Sequence, residues 1–371
     1  MLFMICRPVA VSALIAAALT RTLPPRSSAA DDMITLLPEE FIAKAEPREE
    51  GIVCTVSHLE VIALHSAFAK DKPDSGIVPV EDIEDGELSV DLGLRTPLSA
   101  TLTPSHLKLV VPAADSESEP ETACLPWAML AKVARKKRVG VWECYDEAGE
   151  HDDGIEEPYK VEGLSELTSR TASLYPAEGR QSPPTAVLGG FNMHRTKGID
   201  PSEDTRRKLA ALGKVRGRLL DVCTGLGYTS IGAAKLPTVA EVVTIELDPL
   251  MVYLQRANPW SSDLFDDGKI RRLLGDATEV LPALPAGHFD AIIHDPPANA
   301  MSGELYSLRF YSELRRVLRP GGMLYHYIGD PSSKASGKLF KGIHERLREA
   351  GFASSSTDKQ AYGIVAKVPP R

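Results

Sequence analysis

Between Lys214 and Asp330 the chain keeps repeating one pattern: a compact apolar run, a turn, then a segment with helical spacing. Arg218-Leu-Leu-Asp-Val-Cys precedes a glycine turn and Ser230-Ile-Gly-Ala-Ala-Lys, and Glu241-Val-Val-Thr-Ile-Glu precedes Pro249-Leu-Met-Val-Tyr-Leu-Gln-Arg. Ile270-Arg-Arg-Leu-Leu leads to Gly275-Asp276 and a short helix, and His288-Phe-Asp-Ala-Ile-Ile-His closes at Asp295-Pro-Pro. A helix from Phe310 then runs through Arg319-Pro-Gly-Gly into Met323-Leu-Tyr-His-Tyr-Ile. Short apolar runs alternating with helices predict an α/β fold, a mostly parallel sheet with helices on both faces. Such sheets bind ligands outside the carboxyl ends of their strands, where the strand order reverses. The functional residues are therefore sought at those ends.

Asp221-Val-Cys-Thr224-Gly225-Leu-Gly227-Tyr228 falls where the first of these strands hands over to a helix. Glycines there supply turn dihedrals that a Cβ penalises and let a ligand approach the backbone. A nicotinamide-dinucleotide site is the obvious rival, but its fingerprint is G-x-G-x-x-G. Here Ser230 stands in the place of the third glycine, and an acid precedes the first glycine by four residues. A ligand without a pyrophosphate has no need of that third glycine. Glu246, at the end of the second strand, is placed to accept two ribose hydroxyls, and Gly275-Asp276-Ala277 offers a carboxylate and an N–H to an adenine edge.

Asp221/Gly225/Gly227, Glu246, Gly275-Asp276-Ala277, Asp295-Pro-Pro and Leu318-Arg-Pro-Gly-Gly resemble, in order and spacing, the successive motifs of the class I S-adenosylmethionine-dependent methyltransferases. The resemblance implies a Rossmann-like sheet with S-adenosyl-L-methionine as cofactor. It also implies a cofactor-binding set of Asp221, Thr224, Gly225, Gly227, Tyr228, Glu246, Asp276 and Ala277. In that family the glycine turn lines the methionine moiety, the acid after strand two binds ribose and the Asp after strand three binds adenine. Cys223 departs from the pattern, since many members have glycine there, and it is tolerated if its backbone dihedrals are ordinary. A narrower resemblance rests on Met193-His-Arg-Thr-Lys-Gly-Ile-Asp-Pro, Asn258-Pro-Trp-Ser, His294-Asp-Pro-Pro, Gly303-Glu-Leu-Tyr-Ser and Tyr325-His-Tyr-Ile-Gly. These are similar to a group of archaeal methyltransferases labelled spermidine-synthase-like, in which Arg-Phe follows the Asp-Pro-Pro where this chain has Ala298-Asn299.

Methyl transfer from a sulfonium is an in-line displacement, so the protein chiefly positions the acceptor and stabilises changing charge. Asp295-Pro-Pro resembles the Asp/Asn-Pro-Pro-aromatic motif of enzymes that methylate amino nitrogens. That resemblance implies Asp295 as catalytic residue and Pro296 and Pro297 as acceptor contacts, a proline carbonyl taking one hydrogen bond from the nitrogen. Ala298 removes the aromatic that would stack on a flipped base; Tyr306, Tyr325 or Tyr327 would have to replace it. Tyr306 is taken as substrate-binding. His294 is either a general base or a satisfied buried histidine. No Pro-Cys follows strand four and Cys223 comes too early, so covalent pyrimidine methylation is disfavoured. The expected activity is methylation of an amino nitrogen of an RNA, protein or small-molecule acceptor. A spermidine-synthase-like aminopropyltransferase using the decarboxylated cofactor is the alternative, and a non-catalytic cofactor-binding module is a third reading.

The remaining sequence divides the chain into residues 1–32, 33–192 and 193–371. The first stretch carries Arg7, Arg21 and Arg26, an apolar core from Val9 to Leu19, and no acid before Asp31. It reads as an organellar transit peptide, plastid or mitochondrial, with a secretory signal or a start nearer Met33 as competitors; without a leader the expected location is cytoplasmic. Residues 33–192 read as a small α+β domain. They carry a hairpin of Val90–Leu94 with Ser99–Thr103, a strand from His106, a helix from Pro126 and a strand from Arg138. His58, His65 and His106 are expected to be structural. The five cysteines are scattered without C-x-x-C, so neither a metal site nor a disulfide framework is indicated.

Net charge is −9, which at first disfavours nucleic acid. Residues 196–371, however, hold 24 Lys+Arg against 20 Asp+Glu, and the acidity lies in the first half, in runs such as Glu81–Asp85 and Glu147–Asp153. An RNA acceptor is therefore not excluded. The basic run of His194-Arg195, Lys197 and Arg206-Arg-Lys208 is expected to be a solvated helix and its approach, or a phosphate contact. No apolar stretch outside the first thirty residues approaches a membrane span.

Overall fold

The computed structural model describes residues 33–37, 52–70, 77–78, 90–94, 99–102, 106–111, 119–134, 139–145, 158–177, 182–298, 302–333 and 336–371. The candidate leader (1–32) and the acidic runs at 81–85 and 147–153 lie outside them.

The chain forms two compact units: Met1–Ala43 with Glu203–Pro249 and Asp263–Arg371, and Lys44–Ser202 with Leu250–Ser262. The divide falls at 202/203 instead of 192/193, and residues 33–37 group with the C-terminal unit because they add a strand to its sheet.

That sheet contains β1 (Ile34–Thr35), β2 (Gly217–Val222), β3 (Val239–Glu246), β4 (Ile270–Leu274), β5 (Phe289–His294), β6 (Leu318–Tyr327), β7 (Ser354–Asp358) and β8 (Gly363–Lys367), in spatial order β1-β4-β3-β2-β5-β6-β8-β7. The pairings from β1 through β6 are parallel, and β8 runs antiparallel to both neighbours. Between them run α1 (Pro201–Ala211), α2 (Tyr228–Ala234), α3 (Ala277–Ala283), α4 (Leu308–Val317) and α5 (Ser336–Glu349). Burial explains the sequence pattern: Leu219, Leu220, Val242, Val243, Ile292 and Ile293 are fully covered, since both faces of these strands carry packed layers. The expected α/β sheet is present. Strand order reverses at β2, with β3 on one side and β5 on the other. The register aligns Val222 with Ile245 and with His294, so the turns after β2, β3 and β5 open at the same edge.

The N-terminal unit is α+β, built of short antiparallel sheets with the helices His58–Lys70 and Trp127–Ala134. Its core includes Val61, Leu64, Leu107, Leu109, Leu130 and Trp142. One expected hairpin is different. Ser99–Leu102 pairs with His106–Val111, while Val90–Leu94 is a bridge and a turn in which Asp91 and Leu92 adopt left-handed dihedrals. The alternation of Val90, Leu92 and Leu94 mimics a strand, but the Asp91 carboxylate accepts the Thr55 N–H at 2.9 Å and anchors a turn instead.

Among the described residues no helix is long and apolar enough to cross a membrane, and no group of three or more His, Cys, Asp and Glu is arranged to hold a metal ion.

Candidate active site

The glycine turn is built by the acid beneath it. Asp221 is fully buried and accepts the hydroxyls of Thr229 and Ser230, each at 2.7 Å, tying the end of β2 to the first turn of α2. Burial pushes its carboxyl up to about 7, and the two hydroxyl donors hold it back. Asp221 thus shapes the loop from below, where a place against the cofactor was expected. Gly225 and Gly227 have φ of 56° and 81°, the left-handed region that favours glycine. A Cβ on Gly227 would also meet Leu264 at 2.8 Å. Ser230 is buried and bonded to Asp221, which explains why the third glycine of a dinucleotide fingerprint is missing. Thr224 shares a hydrogen bond of 2.6 Å with Thr244, and Tyr228 is buried at the start of α2.

Cys223 does not have ordinary dihedrals. Its φ is 71°, so the position where glycine is usual in the resembled family does require the left-handed region.

Glu246 is half-buried at the end of β3. Its Oε2 accepts the Gly225 N–H at 2.9 Å, and its Oε1 accepts the N–H groups of Leu247 and Asp248, both at 2.9 Å. Burial pushes this carboxyl up to about 7 against those three donors. The backbone pins the carboxylate, so it meets a ligand without reorganising. Asp276 is the N-cap of α3: Oδ1 accepts the Thr278 N–H at 2.7 Å and the Thr278 hydroxyl at 2.8 Å. Ala277 opens that helix, and Gly275, two residues earlier, donates its N–H to the Glu246 carbonyl at 2.7 Å.

Asp295 follows β5 and carries the decisive contact. Its Oδ2 lies 2.6 Å from the ammonium of Lys208 on α1, and Lys208 is 2.8 Å from Asp204 one turn earlier on the same helix. Lys208 is 1% exposed, and the ring of Tyr327 lies beside it, its centroid 4.7 Å from Nζ. Burial works against the lysine's charge, but the carboxylates of Asp295 and Asp204 outweigh it and hold its pKa above the ordinary range. Burial raises the Asp295 carboxyl, while the charge and hydrogen bond of Lys208 pull it down. The basic run is therefore not uniformly solvated: Arg206 and Arg207 pair with Glu203, whereas Lys208 points inward. Neither Lys208 nor Asp204 was anticipated as a site residue. The legible signal was Asp204 and Lys208 at i,i+4 on one helix.

The neighbours of Asp295 differ from expectation. The Pro297 carbonyl accepts the Ser302 hydroxyl at 2.9 Å and the Tyr306 hydroxyl at 3.0 Å, so it is already supplied with donors; Pro296 itself is buried. Tyr306 is 3% exposed and braces this loop, a position that rules out stacking on a base. Tyr325 is core, its hydroxyl donating to the Ala361 carbonyl at 2.6 Å. Tyr327, half-buried, is the tyrosine that remains at the site. His294 is fully buried, with Nε2 3.0 Å from the Leu305 carbonyl and its ring 4.4 Å from that of His326. Burial lowers its pKa to about 4. It belongs to the packing behind β5, and a general-base role has no support in this geometry.

Glu246, Asp276, Gly225 and Asp295 thus stand at the carboxyl ends of adjacent strands around the switch point. The pinned carboxylate fits the nucleoside half of an S-adenosyl cofactor, whose ribose hydroxyls are donors, and the glycine turn leaves room for the rest of it. Glu246, Gly225, Gly227, Asp276 and Ala277 would hold it.

Residues 186–356 match the spermine/spermidine synthase domain. Over 189 residues the chain is 47% identical to an uncharacterized protein of Methanocaldococcus jannaschii, covering 50% of this chain and 65% of that one. It is 34% identical over 148 residues to polyamine aminopropyltransferase 2 of Streptomyces coelicolor, covering 38% of this chain and 26% of the relative. It is 30% identical over 111 residues to putrescine N-methyltransferase 4 of Nicotiana tabacum, covering 29% of this chain and 28% of the relative. The chain thus spans just under two thirds of the archaeal relative and about a quarter of the other two.

Proposed function

We propose, from the premise that residues 186–356 are a spermidine-synthase-like domain on a class I methyltransferase fold, that this protein alkylates an amine nitrogen from an S-adenosyl sulfonium. The observation that carries the reading is the common edge of Glu246 and Asp295: a pinned carboxylate for ribose on β3 and an acid after β5, with the glycine turn between. When bound, the cofactor supplies an electrophilic carbon whose bond to sulfur breaks as the acceptor nitrogen bonds to it. Asp295 accepts an N–H of the acceptor and so orients its lone pair. As positive charge passes to nitrogen, the carboxylate lies next to it, and the released proton leaves to water. Glu246 and the N-cap at Asp276 hold the nucleoside and bring the reactants to attack distance.

Two donors suit this machinery. Methyl transfer is favoured by Asp295-Pro-Pro, which resembles the motif of enzymes that methylate amino nitrogens. Aminopropyl transfer is favoured by the domain match and by the longer similarity to an aminopropyltransferase than to a methyltransferase. Aliphatic amines are named in both sets of relatives, polyamine in one and putrescine in the other, and putrescine is the acceptor proposed here. Calorimetry with S-adenosylmethionine, its decarboxylated form and NAD tests the reading. Binding of one S-adenosyl form and not of NAD is expected, and tight binding of NAD alone would overturn it.

A further inference from the structure

A buried lysine beside the proposed acceptor acid is unexplained by cofactor binding. Lys208 reaches Asp295 from a different element, across 87 residues of sequence, and its ammonium is shared between Asp295 at 2.6 Å and Asp204 at 2.8 Å. Lys208 and Asp204 are both sealed from solvent, whereas the Asp295 side chain is 20% exposed. Among the described residues, Lys208 is the one side chain bonded to Asp295. One oxygen is thus tied to the interior and the other is left for what enters from the strand ends. We propose that Lys208 is the positioning residue of the acceptor site: it fixes Asp295 Oδ2, keeps the carboxylate ionised, and presents Oδ1 alone to one incoming N–H.

Three considerations support this. A lysine loses the freedom of several rotatable bonds when buried, and here that ordering is enforced by a charge-assisted hydrogen bond to Asp295, an ion pair with Asp204 and the face of Tyr327. Breaking such a pair by removing one partner leaves an uncompensated charge, so the lysine is coupled to the state of Asp295. A purely structural ion pair also has no reason to involve the half-buried acid that follows β5, when Asp204 already lies one turn away on α1. The titratable groups close enough to feel the Asp295 charge are Lys208 and Asp204 from α1, Asp221 and Cys223 at the end of β2, Tyr306 ahead of α4 and Tyr325 on β6, with Tyr327 lying against Lys208. Of these Lys208 is the sole cation, so its removal must raise the pH at which Asp295 ionises.

This inference rests on Asp295 facing the acceptor, and the experiment separates the two claims. The full chain is prepared with carboxyl-labelled aspartate as wild type, Asp295→Asn, Lys208→Met, Asp204→Asn and the double variant Asp204→Asn/Lys208→Met. The double variant removes one charge of each sign and so preserves the cluster's net charge if the single variant does not fold. The Asp295 resonance, assigned by its loss in Asp295→Asn, is titrated by NMR. Transfer from labelled S-adenosylmethionine and its decarboxylated form to putrescine is measured in parallel. The expected result is a titration midpoint at least one pH unit higher without Lys208. Turnover should fall about 10–100-fold at neutral pH and partly recover as pH rises, and the KM for the donor should change less than about twofold. An unchanged midpoint in Lys208→Met, or a midpoint in the double variant no higher than in Asp204→Asn alone, overturns the role of Lys208. If Asp295→Asn itself leaves transfer undiminished, the assignment of the acceptor site fails instead.

Discussion

Glu246 Oε2 accepts the N–H of Gly225 at 2.9 Å, so the acid that ends β3 holds the glycine turn that follows β2. Two features that look independent in sequence, 21 residues apart, are one structure. The carboxylate is a strut of the loop before it is a ligand for ribose, and this has a consequence for pH.

Burial raises the Glu246 carboxyl to about 7, and ribose hydroxyls bind the ionised form best. Affinity for S-adenosylhomocysteine should therefore rise by up to about tenfold per pH unit below pH 7 and level off above it. In the ligand-free protein the same group works in the opposite sense. Its folded pKa exceeds the unfolded 4.5, so its stabilising effect is complete below pH 4.5 and lost as pH rises through 7. Calorimetry at pH 6.5 in buffers of different ionisation enthalpy should report proton release on binding, absent in Glu246→Gln. Proton uptake in the wild type would count against the assignment.

Cys223 holds a left-handed φ of 71° without being glycine. The left-handed region costs a Cβ-bearing residue about 1–2 kcal/mol, and glycine returns part of that gain through greater freedom of the unfolded chain. Cys223→Gly is expected to stabilise by about 0.5–1 kcal/mol in urea titration. Cys223→Ala, which keeps the strain, should give no such gain. Equal effects of the two would show that the thiol, and not the backbone, sets the energy.

His294 is buried neutral, with its pKa lowered to about 4. Unfolded histidine takes up its proton near pH 6.5, so stability from this group is present above that pH and is lost as pH falls toward 4. His326, tilted against it and also lowered by burial, acts in the same direction. Replacing His294 by Phe, beside Phe310 and Tyr306, should reduce the loss of thermal stability between pH 8 and pH 5. An unchanged pH slope would contradict its buried neutral state.

The Tyr306 hydroxyl closes the loop after β5 onto the Pro297 carbonyl at 3.0 Å. Tyr306→Phe leaves the Ser302 hydroxyl on that carbonyl, so the expected loss of stability is only about 1 kcal/mol. Turnover should fall more than binding of S-adenosylhomocysteine, because the loop carries Asp295. Kinetics and calorimetry on the same preparation check this, and a loss confined to cofactor binding would place the tyrosine's influence elsewhere.

The sheet was legible because its strands are buried on both faces, which forces near-continuous apolar runs such as Val242-Val-Thr-Ile245 between helical segments. The turns at the strand ends were legible for a related reason: Gly225, Gly227, Glu246 and Asp276 sit at fixed places where strands stop, with the glycines in left-handed backbone. What the sequence concealed is the depth of each side chain. Asp221 and Asp295 both follow apolar runs, yet one is sealed under two hydroxyls and the other keeps 20% of its side chain exposed. Lys208 reads as part of a basic surface because Arg206 and Arg207 precede it, and only the rotation of α1 separates an outward pair from an inward lysine. Tyr306 and His294 sit beside the right motif but face the interior, a difference that spacing does not encode.

The central claim is that Asp295 orients an amine against an S-adenosyl donor held by Glu246. The direct measurement is transfer of label to putrescine from methyl-labelled S-adenosylmethionine and from aminopropyl-labelled decarboxylated cofactor, in wild type and Asp295→Ala. One donor should label the amine in the wild type. The variant should lose about 100-fold in turnover while binding S-adenosylhomocysteine within about twofold of wild type. Transfer from neither donor, or an Asp295→Ala variant as active as wild type, would contradict the account.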